Sequence, residues 1–163
     1  MLKTRQLIPA LTARTSAGQI VRAGDYRQKK NLVLVFLHAD CPRCDDFLGK
    51  LASRAAQLSE REAVALVVFP QPPARAAENL PPQIVAAADM SGRSQRAYLG
   101  SEAFGPAGQQ RRGVFIADRY GELYAQCVAR EEEDLPGTGE VLEWLAQIER
   151  AGEECGVSHW PAE

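Results

Sequence analysis

The sequence predicts an α/β fold in which a central mixed sheet is flanked by helices. Two continuously apolar runs, 32–37 and 63–69, are typical of strands buried on both faces, as in a parallel sheet. Between them, apolar residues recur at three- and four-residue steps and predict an amphipathic helix over about 42–59; they are Phe47, Leu48, Leu51, Ala55 and Leu58. The order strand, helix, strand is a βαβ unit, and its crossover is expected to be right-handed.

Shorter patterns predict the elements around this unit. Before it, residues 10–22 indicate two short strands around a turn at 16–18, which form an N-terminal β-hairpin extension. After it, the expected elements are strands at 84–88, 113–117 and 122–128, a short helix at 94–99, and a final helix with the apolar stripe Val141, Leu142, Leu145 and Ile148. Because the turn at 118–121 reverses the chain, the last two strands are antiparallel and the sheet is mixed.

Length, composition and charge limit the class of protein. The 163 residues are 45% hydrophobic and 25% charged, which suits a single domain over 1–163 and excludes disordered and fibrous classes. Residues 1–8 and 152–163 are expected to be flexible or peripheral tails. The net charge of −2 favours neither a nucleic-acid nor a membrane partner, and no apolar run is long enough to span a bilayer. We therefore expect a cytoplasmic protein.

The segment Cys41-Pro42-Arg43-Cys44 carries the chemistry. It lies between the first buried strand and the helix, so both cysteines stand at a helix N-terminus, where partial positive charge stabilises a thiolate. The spacing places the two sulfurs on one helical face, close enough to form a disulfide. We expect Cys41 to be the exposed attacking thiol and Cys44 the more buried resolving thiol, with Arg43 favouring the Cys41 thiolate.

Other residues leave alternatives open. His38 lies just beyond the strand end and is a candidate proton acceptor for Cys41, or a packed histidine. Cys41 and Cys44 together with Cys155 and His159 have zinc-ligand spacing within each half, which makes a non-catalytic zinc-binding module one alternative. Cys127, in a predicted strand, is expected to be a small core residue.

Four stretches in order along the chain resemble the thioredoxin-like superfamily, specifically its redoxin branch. Residues 36–44 resemble the Phe-x-x-x-x-Cys-x-x-Cys segment of thioredoxins, and residues 8–27 resemble the N-terminal hairpin of redoxins. Residues 112–121 are similar to the peroxiredoxin Arg-Gly-Leu-Phe-Ile-Ile-Asp strand and turn, and residues 89–98 resemble a redoxin helix. The resemblance implies a thioredoxin fold.

It also implies a redox activity that needs no organic cofactor and no metal. The favoured interpretation is a thiol–disulfide oxidoreductase: Cys41 attacks a disulfide in a protein or small molecule, Cys44 resolves the mixed disulfide, and an external dithiol reduces the enzyme. The alternative is a peroxiredoxin-like thiol peroxidase, in which Arg112 holds the thiolate and the peroxide. Arg43, His38 and Gly113 are the expected substrate contacts.

Overall fold

The computed structural model describes residues 2–72, 79–106, 108–130 and 134–155, with side chains up to residue 151. Seven strands form one sheet: β1 (Thr12–Arg14), β2 (Ile20–Arg22), β3 (Asn31–Phe36), β4 (Ala63–Phe69), β5 (Ile84–Ala88), β6 (Arg112–Ala117) and β7 (Leu123–Ala129). The helices are α1 (Pro42–Ala52), α2 (Ala55–Glu60), α3 (Arg93–Leu99) and α4 (Thr138–Cys155), with a 3-10 turn at Ala23–Tyr26.

The strand order in the sheet is β2-β1-β5-β4-β3-β6-β7. The three central strands β3, β4 and β5 are parallel, whereas β1, β6 and β7 pair with their neighbours antiparallel. The sheet is therefore mixed, as predicted, and the hairpin β1–β2 extends it beyond β5. The two runs predicted to be buried strands are β3 and β4, and their side chains are almost completely buried.

The sheet separates two hydrophobic cores. On one face, inward side chains of β3, β4 and β6 pack against α1, α2 and α4, and this core includes both Cys41 and Cys44. On the other face, an aromatic cluster joins Phe36 and Phe115 of the sheet to Tyr98 of α3, with ring centroids 5.2–5.8 Å apart. Alternation along β3 sends successive residues to opposite cores, which explains why the run is apolar throughout.

The helix predicted over 42–59 is interrupted. Helix α1 ends at Ala52, and α2 begins at Ala55. At the break, the Ser53 hydroxyl donates to the Lys50 carbonyl at 2.6 Å, and the Arg54 N–H bonds three residues back, to Leu51. Local bonds of this kind compete with the regular helical ladder, and the apolar spacing alone does not register them.

The described parts of the two predicted tails, residues 2–8 and 152–155, take part in backbone hydrogen bonds or in a helix. The backbone of residues 5–8 hydrogen-bonds to residues 121–123, next to β7, and Leu7 forms a bridge with Glu122. Helix α4 continues to Cys155, past residue 152, where the C-terminal tail was expected to begin. Within the part of the chain described, no helix combines the length and apolarity needed to cross a membrane.

Candidate active site

The sheet register brings the predicted site residues to one edge. Because β3 and β6 are antiparallel, Phe36 near the end of β3 pairs with Gly113 near the start of β6. The residues after β3, including His38 and Cys41, therefore lie beside Arg112, the first residue of β6. A cleft of about 380 Å³ lies at this edge, and its lining includes His38, Cys41, Arg43 and Arg112.

Cys41 is the N-cap of α1. Its backbone is extended, Pro42 occupies the first helical turn, and the Cys41 Sγ accepts a hydrogen bond from the Cys44 N–H at 3.1 Å. Proline fits here because the first helical residues have no intrahelical partner for an N–H. The sulfur thus takes the position in which a serine or aspartate oxygen usually caps a helix, and it lies in the field of the helix N-terminus.

Cys44 lies one turn further into the protein. It is 1% exposed and does not line the cleft. Cys41, which was predicted to be exposed, is itself buried at 8% exposed, although it does line the cleft. Burial raises the pKa of the Cys44 thiol to about 12, and a hydrogen bond to the Cys41 sulfur acts in the same direction. The backbone N–H of His38 and the charge of Arg112 oppose this rise in pKa. Cys44 is therefore held as a thiol beside Cys41.

His38 completes a close group with the two cysteines. One ring nitrogen and the two sulfurs lie within 4.8 Å of one another. The Nδ1 of His38 is 3.1 Å from the carbonyl oxygen of Ala39. A carbonyl can only accept, so Nδ1 is the donor in this contact. His38 is thus placed near the sulfurs, as expected.

Arg112 is 5% exposed although it is charged. Its Nη2 donates to the carbonyl oxygen of Arg130 at 3.2 Å, which helps fix the guanidinium at the start of β6. Buried arginines need such partners because the charge cannot be neutralised by deprotonation. The side chain lines the cleft with Cys41 and acts electrostatically on Cys44.

The other two predicted substrate contacts lie in different surroundings. Arg43 lines the cleft, is half-exposed, and pairs with Asp134 at 3.2 Å. Gly113 is absent from the cleft lining, and a Cβ there would meet Leu99 Cδ2 at 2.7 Å in the second core. The structure therefore brings Arg43 to the cleft and leaves Gly113 as a close-packing position in β6.

Gln110 is a residue of the cleft to which the sequence analysis gave no role. It is 1% exposed, and its Nε2 donates to the Leu37 carbonyl at 2.7 Å and, at 3.4 Å, to that of Val68. These bonds tie the segment before β6 to the ends of β3 and β4. Its polar neighbours Gln109 and Arg111 suggest a solvated loop, so the sequence carries no signal for this burial.

Of the remaining cysteines and the second histidine, the structure describes the side chain of Cys127 alone. Cys127 is a partly buried residue of β7, not a fully buried core residue, and it pairs in register with Val114. The Cys155 side chain and His159, the distal half of the alternative zinc set, lie outside the described residues.

Comparison with solved structures shows the fold. Over 96% of this chain and 99% of the other, the mitochondrial 2-Cys peroxiredoxin from Plasmodium falciparum superposes with a TM-score of 0.73 at 14% identity. The reduced 2-Cys peroxiredoxin from Plasmodium vivax superposes with a TM-score of 0.75 at 16% identity. The match covers 96% of this chain and 88% of the other. A cysteine-to-serine mutant of peroxiredoxin 6 from Arenicola marina superposes with a TM-score of 0.78 at 14% identity. The match covers 94% of this chain and 76% of the other.

Fold and site together define a thioredoxin-fold protein of the redoxin branch, as the resemblance implied. A search of curated proteins finds no match. The model of the AhpC/TSA family, however, matches residues 4–126, about three quarters of the chain. The chain belongs to the AhpC/TSA family.

Proposed function

We propose that this protein is a peroxiredoxin-like thiol peroxidase in which Cys41 is the peroxidatic cysteine and Cys44 the resolving cysteine. The observation that carries the proposal is the buried Arg112, which lines the same cleft as Cys41 and acts electrostatically on Cys44. Family membership and the peroxiredoxin neighbours support the same activity.

In the first step, the Cys41 thiolate attacks the terminal oxygen of a hydroperoxide. The O–O bond breaks, Cys41 becomes a sulfenic acid, and the other oxygen leaves as an alkoxide or hydroxide that takes a proton from solvent. The guanidinium of Arg112 stabilises the negative charge that moves from sulfur to the leaving oxygen. A cation already fixed by the Arg130 carbonyl needs little reorganisation during this step.

In the second step, Cys44 attacks the Cys41 sulfenic acid, a disulfide forms and water leaves. Cys44 is well placed because its N–H already bonds to the Cys41 sulfur. His38 is the nearby base that would accept the Cys44 proton, since one of its ring nitrogens lies within 4.8 Å of both sulfurs. An external dithiol then reduces the disulfide, which restores two thiols and oxidises the dithiol.

The thiol–disulfide oxidoreductase remains a second candidate, because the Cys41–Cys44 spacing serves either activity. A fixed cation at the leaving oxygen is more useful for peroxide cleavage than for exchange between sulfurs, which moves charge between two similar atoms. The comparisons also favour the peroxidase over this first interpretation. Peroxide and disulfide are thus the two substrate classes that an experiment must separate.

The test is single-turnover oxidation of the reduced Cys44→Ser variant by hydrogen peroxide and by an organic hydroperoxide. Removing the resolving thiol leaves the sulfenic acid at Cys41, where mass spectrometry identifies it. We expect oxidation confined to Cys41 and at least about a hundredfold faster than that of a free small thiol. Arg112→Met should lower this rate by about one to two orders of magnitude.

Arg119→Met is the matched control, because Arg119 is an arginine of the β6–β7 turn that pairs with Glu62 away from the cleft. It should leave the oxidation rate unchanged. A Cys44→Ser rate no faster than that of a free thiol would refute the peroxidase. Reduction of a protein disulfide by the wild-type protein would then establish the oxidoreductase.

A further inference from the structure

The group formed by His38, Cys41 and Cys44 has the composition of a metal site as well as a redox centre. Three donor atoms, two sulfurs and one imidazole nitrogen, lie within 4.8 Å of one another. We propose that the reduced protein binds one Zn²⁺ through these three residues. In this site, His38, which follows β3, takes the place of Cys155 and His159, the distal ligands that the sequence spacing suggested.

The donor set fits zinc. Two thiolates and an imidazole are borderline-soft ligands, which Zn²⁺ prefers and which Mg²⁺ and Ca²⁺ do not. Ligand atoms around tetrahedral zinc lie about 3.5–3.8 Å apart for Zn–S near 2.3 Å and Zn–N near 2.0 Å. Since the two sulfurs and the ring nitrogen lie within 4.8 Å of one another, they must approach by on the order of 1 Å to bind zinc. Rotation of the side chains can supply this movement.

The hydrogen bonds that orient such ligands are already present. The backbone N–H of Cys44 donates to the Cys41 sulfur, and the backbone N–H of His38 donates to the Cys44 sulfur. The ring Nδ1–H of His38 donates to the Ala39 carbonyl. In metal sites, a bound histidine commonly donates its second ring N–H to a carbonyl in this way. With Nδ1 held by this bond, Nε2 is the ring nitrogen that would bind the metal.

The electrostatics are compatible with zinc beside Arg112. Zn²⁺ with two thiolates and a neutral imidazole has no net charge, so the nearby guanidinium is not repelled by a buried dication. Binding displaces thiol protons to solvent and changes no oxidation state. Because His38 and Cys41 line the cleft, the fourth coordination position faces it and is available to water.

Zinc binding is a property of the reduced protein alone, since a Cys41–Cys44 disulfide offers no thiolate. Its consequence for catalysis rests on the proposed function: zinc held by Cys41 would block attack on peroxide, and a chelator would restore it. The binding itself does not depend on that function.

The test measures zinc directly by competition with a chromophoric chelator, using reduced full-length protein under anaerobic conditions. We expect one zinc per chain, bound at least about tenfold more tightly than by His38→Ala. No binding is expected once the Cys41–Cys44 disulfide has formed. His38→Asn is a second variant in case alanine disturbs the turn.

His159→Ala and Cys155→Ser are the matched controls, because they remove the same ligand types from the alternative set. Neither should change the zinc affinity. Cobalt substitution provides a second readout: His38→Ala should alter the d–d bands while the sulfur charge-transfer band persists. An affinity that survives loss of His38 but falls with His159 would establish the distal set and overturn the proposal.

Zinc held no more tightly than by a small dithiol would also overturn it. Either result leaves the peroxide rate of the metal-free protein as a separate measurement. The failure of the zinc site can thus be distinguished from failure of the peroxidase.

Discussion

Two strand-to-helix turns lie at the same edge of the sheet, and they cap their helices with different atoms. Between β3 and α1, the Cys41 sulfur accepts the Cys44 N–H at 3.1 Å. Between β5 and α3, the Asp89 carboxylate accepts the backbone N–H groups of Ser91 and Ser94 at 3.0 and 2.9 Å. A thiol sulfur is a weak acceptor and an ionised carboxylate a strong one.

The difference shows what each turn contributes. The turn at Asp89 is a structural cap: the carboxylate also accepts the Ser91 hydroxyl, and the Gln95 amide donates to the Asp89 carbonyl. The turn at Cys41 forgoes a strong cap and keeps a nucleophile in the field of the helix N-terminus. We infer that the weak sulfur cap makes the Cys41 turn less stable than the Asp89 turn. The same sulfur keeps the thiol available for reaction.

The largest expected effect comes from turning the reactive cap into a structural one. Cys41→Ser should abolish peroxide consumption, because it removes the thiolate and a serine hydroxyl is too weak a nucleophile to replace it. Serine is also a favoured N-cap, so the free energy of unfolding should rise by about 0.5–1 kcal/mol. Urea unfolding and a peroxide assay on the same preparation check both parts. A loss of stability would show that Cys41 is not the weaker cap.

The converse change is made at the structural turn. Asp89→Ala leaves three donors without their acceptor, so the free energy of unfolding should fall by about 1–3 kcal/mol. The peroxide rate per folded molecule should be unchanged, because Asp89 does not line the Cys41 cleft. Asp46→Ala is the control: this exposed acid of α1 pairs only with Lys50 at the surface in the described part of the chain, and its loss should be small.

The pH dependence of this cap follows from the Asp89 pKa. Burial raises that pKa, but hydrogen bonds from Ser91 and Ser94 outweigh burial and leave it below its ordinary value of 3.8. A lowered folded-state pKa stabilises the protein above the unfolded-state pKa and loses its contribution as pH falls through the folded one. The stability difference between wild type and Asp89→Ala should therefore be constant near neutral pH and shrink below about pH 4. A difference that grows in acid would contradict this assignment.

The two turns also show how far sequence patterns reach. The fold was predictable because β3 and β4 are buried on both faces, so their apolar runs are continuous. The position of Cys41 at a helix start was predictable for the same reason, since the strand and the helix pattern flank it. These are local consequences of burial and spacing.

Burial that depends on register was not predictable. Gln110 lies in a polar run, and nothing in that run indicates that its amide bonds to carbonyls of residues 37 and 68. His38 was expected near Cys41 from its position after the strand, but its approach to Cys44 as well depends on the backbone turn after β3. Arg112 was recognised by resemblance, but its bond to the Arg130 carbonyl is set by the β6–β7 pairing.

The last comparison concerns the left-handed residue in each turn, and its smallest expected effect is that of Asp40→Gly. Asp40 precedes the Cys41 cap with φ 54°, and Gly92 precedes α3 with φ 75°. A Cβ at Gly92 would lie 3.2 Å from the Phe104 ring, and alanine is disfavoured at this φ, so Gly92→Ala should cost about 1–2 kcal/mol. Asp40→Gly relieves similar strain but adds freedom to the unfolded chain, so the net change should stay below about 0.5 kcal/mol. Thermal unfolding of both variants measures the contrast, with Gly18→Ala as a control for positive φ in open space.

Because Asp40 lines the cleft, its loss should also raise the peroxide rate slightly at low salt, by removing repulsion of the Cys41 thiolate. Equal destabilisation by Gly92→Ala and Asp40→Gly would mean that the aspartate carboxylate holds the cysteine turn as Asp89 holds its own, and the two turns would then no longer differ in kind.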